Sequence, residues 1–145
     1  VKNAKTKKIY ALGKPKVDGE LAYFELNNIS SRELPRVSLG SPNGDITTHG
    51  IRINYYDIEK EEWWETIGEI QGFRENGDAM YRASTISGTC GNPVMYGNFA
   101  LGIHEEAQYD ESLPRESQIS IGRAIGSTRM AALAGIGRLA TVNLN

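Results

Sequence analysis

Gly88-Thr89-Cys90-Gly91-Asn92-Pro93-Val94-Met95-Tyr96-Gly97-Asn98-Phe99-Ala100-Leu101-Gly102-Ile103-His104 carries the only cysteine of this chain. The stretch decides the fold. Pro93–Tyr96 and Phe99–His104 are short apolar runs on either side of Gly97-Asn98, the pattern of a tight β-hairpin. Two glycines flank Cys90, so the backbone there can crowd the sulfur and aim N–H groups at a developing negative charge. A thiolate so placed can attack a carbonyl, and a covalent intermediate splits one hard step into two easier ones. The alternative is a buried structural cysteine, a small hydrophobe with no chemistry of its own.

Working outward, the chain reads as strands joined by loops. Lys8–Leu12 and Glu20–Leu26 are expected to pair as a hairpin, with Leu21, Tyr23, Phe24 and Leu26 as its apolar residues. Residues 27–45, with two prolines and Ser-Pro-Asn-Gly, predict a long connector. In Ile46–Tyr56 the residues Ile51, Ile53 and Tyr55 alternate with polar ones. Trp64–Phe73 follows across the charged turn Asp57–Glu62. Glu75-Asn76-Gly77-Asp78 turns into Ala79–Ile86, and Ile119–Ile125 is the last predicted strand. Ser127 is placed to N-cap a helix to about Leu139, with Met130, Leu133 and Ala134 on one face. About six strands from Ile46 to Ile125 suffice for one antiparallel barrel, with two more ahead of it: an all-β fold. Trp63, Trp64, Tyr55 and Tyr56 are expected to pack within strands rather than present a ligand platform.

Composition narrows the function classes. The chain has 145 residues, 39% of them hydrophobic, enough for one domain with a real core. A net charge of −2 gives no global attraction to nucleic acid or membrane. That average hides an arm: Lys2, Lys5, Lys7, Lys8, Lys14 and Lys16 all precede the first acid, Asp18. Such a block is either a solvated arm or a phosphate-binding patch. A single cysteine rules out an internal disulfide and a cysteine-rich zinc site, and fits a reducing compartment. No run approaches the ~18 apolar residues of a membrane span, and no metal or cofactor is implied.

Gly-x-Cys-Gly-x-Pro-Val, the Gly-Asn turn and the Gly-Ile-His that ends the hairpin together resemble the viral chymotrypsin-like (3C-like) cysteine proteases, of picornaviral and potyviral main-protease type. The resemblance covers roughly Glu20 to Ile125. It implies a chymotrypsin-like fold whose second barrel is complete, at residues 46–125, with residues 1–26 as the end of the first barrel. Residues 27–45 would connect the barrels, and 126–145 would form a C-terminal helix and tail. It also implies an endopeptidase that cleaves a viral polyprotein in the host-cell cytoplasm.

Residue by residue, the resemblance makes Cys90 the nucleophile and the backbone N–H groups of Gly88 and Cys90 the oxyanion hole. Gly19-Glu20-Leu21-Ala22-Tyr23-Phe24 matches the acid-then-apolar strand of the family, so Glu20 is the acid that orients an imidazole, with Asp18 as its rival. Thr85 and His104 match the pair that lines the S1 pocket and would bind a glutamine (or glutamate) at P1. A neutral imidazole N–H and a hydroxyl can both donate to an amide oxygen. The alternative for these two is a core histidine and an ordinary strand threonine. The family order is His, acid, nucleophile, but His49 and His104 both follow Glu20. His49 as base would need another topology, so the histidine is expected from a preceding segment or a second chain that completes the first barrel.

Ser31-Arg32-Glu33-Leu34 resembles the Phe-Arg-Asp-Ile stretch through which picornaviral enzymes contact viral RNA. Arg32, with Lys7 and Lys8, is therefore a candidate RNA contact, and an ion-paired connector is the alternative. Two other function classes stay open: a structural viral β-protein in which the Cys90 turn is coincidental, and a non-catalytic RNA-binding module of the same fold.

Overall fold

A computed structural model describes residues 1–3, 5–30, 32–34, 37–43, 50–85, 89–108, 121–136 and 139–143. The chain is mostly β. Its strands are β1 (Lys16–Asp18), β2 (Leu21–Tyr23), β3 (Ser38–Asn43), β4 (Gly50–Asp57), β5 (Glu62–Phe73), β6 (Ala79–Arg82), β7 (Pro93–Tyr96), β8 (Phe99–Gln108), β9 (Ile121–Gly126) and β10 (Ala140–Asn143), with one helix, α1 (Ser127–Ala134). Eight strands form one strongly curled, half-barrel sheet in the order β10-β3-β8-β7-β4-β5-β6-β9. The ten-residue β8 makes the curl: its first half pairs with β7 and its second half with β9. Strands β4 to β9 thus form a continuous hydrogen-bonded circuit.

The core follows from the alternation in the sequence. Ile51 and Ile53 of β4 point inward and join Ile70, Ala79, Tyr81, Ala83, Val94 and Leu101, with Phe73, Tyr96 and Phe99 packed around them. Burying each of the larger side chains stabilises by about 1.5–3 kcal/mol, so the circuit holds the molecule together. Tyr81 is fully buried and stands opposite Gly122 in the register. A Cβ on Gly122 would lie 2.2 Å from the Tyr81 ring, so glycine is required there. Asp78, also fully buried, accepts the Gly126 N–H at 3.1 Å and ties the β5–β6 turn to the start of α1.

Several expectations shift. The first hairpin pairs Lys16–Asp18 with Leu21–Tyr23, whereas Lys8–Leu12 contributes only isolated bridges from Ile9 to Lys2 and from Leu12 to Leu26. Glu20 therefore sits in the tight turn rather than at a strand start. The connector 27–45 contains β3, which pairs in parallel with both β8 and β10. Gly126, not Ser127, occupies the N-cap of α1, and the helix stops at Ala134 before Gly135. The Ser127 hydroxyl instead donates to the Gly40 carbonyl of β3. Among the described residues no helix is long and apolar enough to cross a membrane.

The β4–β5 hairpin departs most from expectation. Its register runs unbroken from Gly50↔Glu69 to Asp57↔Glu62. Yet β4 meets β7 only at Arg52 and Ile53, and β5 meets β6 only from Glu69 onward. The far end therefore projects as a two-stranded ribbon. Trp63 and Trp64, expected to pack, are 67% and 46% exposed, because no neighbouring strand among the described residues reaches that far.

Candidate active site

Cys90 is exposed, on the turn before β7, and this turn is fastened to β8. The Gly91 N–H donates to the His104 carbonyl at 2.7 Å, and the His104 N–H donates to the Asn92 carbonyl at 2.8 Å. The Asn92 side chain donates to the Thr89 carbonyl at 2.9 Å. Gly91 has φ +88 with open space where a Cβ would be, so its role is conformational. The Cys90 Sγ–H donates to the Glu105 carbonyl at 3.2 Å. That carbonyl is available because the β8–β9 ladder shifts register between His104 and Glu106.

Cys90, Gly91, His104, Glu105, Ile103 and Glu20 line one cleft of about 420 Å³, together with Ile125. Glu20, from the turn between β1 and β2, and Cys90, from its own turn, both border it. Two residues 70 positions apart thus face the same space. Asp18, the rival acid, lies 3.8 Å from Arg129 of α1 and is not among the described lining residues.

His104 is 3% exposed, and burial holds its imidazole below the usual histidine range. Tyr81 shares a hydrogen bond with its Nδ1. Burial first, and then nearby Cys90, push the Tyr81 phenol well up. With the phenol protonated and the imidazole neutral, the Tyr81 O–H donates and Nδ1 accepts. The ring proton then rests on Nε2, leaving an N–H donor on a residue that lines the cleft. Tyr81 sits in no motif. Its signal was Gly122, a glycine inside a predicted strand, which marks close approach of something large.

Thr85 is buried but lines a second cavity, together with Thr89, Tyr55 and Trp64; it is not among the described residues of the Cys90 cleft. Gly88 and His49 lie outside the described residues. Lys8 is engaged: its ammonium pairs with Glu33, which also accepts from the Tyr10 hydroxyl at 2.9 Å. Lys7 and Arg32 are exposed. The connector around Glu33 is thus ion-paired to the lysine-rich arm. No group of three or more metal-ligating side chains occurs among the described residues. Compared with known proteins, the chain matches no family model and none of the curated proteins.

Proposed function

We propose that this chain carries the nucleophile of a chymotrypsin-like cysteine endopeptidase that cleaves a viral polyprotein after glutamine. The observation that supports it most is the shared cleft: an exposed thiol, a carboxylate from a distant turn and a buried neutral imidazole line one space. Cys90 would attack the scissile carbonyl and expel the amine as an acyl-enzyme forms, and water would then release the acid. Glu20 would orient the imidazole base, supplied by a segment outside these residues or by a second chain. His104 would then serve specificity rather than proton transfer. Its Nδ1 is held by Tyr81, and its Nε2–H would donate to the amide oxygen of a P1 glutamine. In this reading Thr85 would offer its hydroxyl as the second donor to that amide oxygen.

The test uses the full-length protein that carries this chain and a set of peptides bearing Gln or Leu at P1. Cleavage after Gln should appear and should vanish in Cys90→Ala. His104→Ala should lower Gln cleavage by on the order of 10²-fold while Cys90 still reacts with iodoacetamide, because the amide is desolvated without a partner. No Cys90-dependent cleavage by the full-length protein would sink the proposal. Unchanged Gln-over-Leu preference in His104→Ala would remove His104 from the pocket.

A further inference from the structure

A second cavity, of about 420 Å³, is lined by the inner face of the β4–β5 ribbon and by Ser84, Thr85 and Thr89. Tyr55 and Trp64, cross-strand partners, both line it, and Thr89, the neighbour of Cys90, lies on its other side. Asp57 lines the outer end, and the register sets Glu62 directly opposite Asp57 on the same face. From Asp57 to Glu65 there are five acids and one base, Lys60. The Tyr55 phenol registers that field: burial first, then Asp57 and Glu62, hold it above its ordinary value. One cation is already seated, since the Lys60 ammonium lies 5.8 Å from the centre of the Trp64 ring. That falls inside the ~6 Å range of a cation–π contact.

We infer that this cavity binds a cationic side chain on an apolar stem, arginine or lysine in shape, carried by a bound polypeptide. The stem packs against Tyr55 and Trp64, and the cation meets the Trp64 face and the carboxylates of Asp57 and Glu62. Lys60 is the internal occupant that an incoming cation displaces. An anionic ligand meets repulsion, and a neutral one gains only the apolar contact. The site stands one residue from Cys90, so a polypeptide crossing the cleft can reach it, but binding requires no chemistry at the thiol.

The chain has two tryptophans, both on this ribbon, which supplies the probe. Trp63→Phe leaves Trp64 as the sole reporter, and its emission is followed during titration with N-acetyl-arginine amide, an extended peptide with one arginine, and the norleucine counterparts of both. Arginine ligands should saturate the signal at least about tenfold more tightly than norleucine ligands. Lys60→Gln should tighten arginine binding several-fold. Asp57→Asn with Glu62→Gln should weaken it about tenfold. The asparagine keeps the Oδ1 that accepts the Glu59 and Lys60 N–H groups at 3.0 and 3.1 Å, so the turn survives. Tighter binding of the arginine peptide than of the free amide supports a polypeptide ligand, and equal affinity overturns that part in favour of a small free cation. Equal responses to arginine and norleucine, no response at all, or indifference to the paired carboxylate change overturns the site. Each result is independent of whether any peptide is cleaved.

Discussion

The Cys90 turn and the far end of the β4–β5 ribbon lie on either side of Thr89, yet they are built in opposite ways. Around Cys90 the backbone is tied down: Gly91 and Asn92 bond to His104 of β8, the thiol donates to the Glu105 carbonyl, and His104 is held by Tyr81 beneath. At the ribbon end, among the described residues, strand pairing runs only between β4 and β5, and Trp63 and Trp64 are largely exposed. The first arrangement fixes a few atoms and leaves little freedom, as group positioning requires. The second keeps apolar surface available and relies on little packing. One curled sheet thus carries a tied-down turn and a projecting ribbon beside it.

The largest effect expected from this contrast separates Tyr81 from Trp63. Tyr81→Ala empties the centre of the circuit and should cost about 3–5 kcal/mol. Trp63→Ala, at 67% exposure, gives up mainly the Tyr56 ring 5.1 Å away and should cost about 1 kcal/mol or less. Urea denaturation of both variants decides. A Trp63 penalty that approaches that of Tyr81 would mean that the ribbon end is packed against something and the contrast is false.

Next in size is the Cys90 turn. Gly91→Ala meets no steric neighbour, so its cost is the left-handed φ alone, about 1–2 kcal/mol. Because the strain falls on the residue after Cys90, the rate of thiol alkylation should change along with stability. A stability loss without any change in that rate would show that the turn does not position the sulfur.

A smaller effect tests the buried imidazole. Burial lowers the His104 pKa below its ordinary 6.5. Above that value the ring is neutral in both folded and unfolded chains. As pH falls through 6.5 the unfolded chain takes the proton first, so stability drops until the folded-state value is passed. The urea midpoint should therefore decline from pH 7.5 to 5.5 in the parent and stay flatter in His104→Gln. Identical slopes would mean that the imidazole is not held neutral.

What was legible in the sequence tracks how local each cause is. Pro93–Tyr96 formed with its predicted limits because Gly97-Asn98 sets the turn and the apolar runs set the faces. The first hairpin differs from expectation because Asp18-Gly19 is itself a tight-turn signal inside the longer Gly-Lys-Pro-Lys-Val-Asp-Gly connection; Gly19 takes φ +59 there. Strand β3 was hidden because its partners, β8 and β10, lie far along the chain, and its Ser-Pro-Asn reads locally as a turn. The resemblance alone led to expecting Glu20, Thr85 and His104 beside Cys90; Glu20 and His104 line the Cys90 cleft, and Thr85 lines the second cavity. Neither Tyr81 beneath His104 nor the exposure of Trp64 was legible, since both depend on which strands end up as neighbours.

The smallest effect concerns the amino-terminal arm, a third and looser region. Its hold is the cluster of Lys8, Tyr10 and Glu33, which join residues more than twenty positions apart. The hydrogen bonds from Lys8 and then Tyr10 lower the Glu33 pKa below 4.5, and the bond to Glu33 raises that of Lys8 above 10.5. The sign is opposite for the two. The carboxylate's contribution is present above pH 4.5 and fades as pH falls through its lowered value. The ammonium's contribution is present below pH 10.5 and fades as pH rises through its raised value. The pair is therefore intact across the neutral range and opens in acid. Glu33→Gln should reproduce the acid state at pH 7. Amide exchange in residues 5–10 should accelerate several-fold, while the global urea midpoint changes little because the pair is exposed and screened. If exchange in those residues does not respond, the arm is held by the Tyr10 ring in the core rather than by charge. The lysines would then be free to meet an anionic partner without any release step.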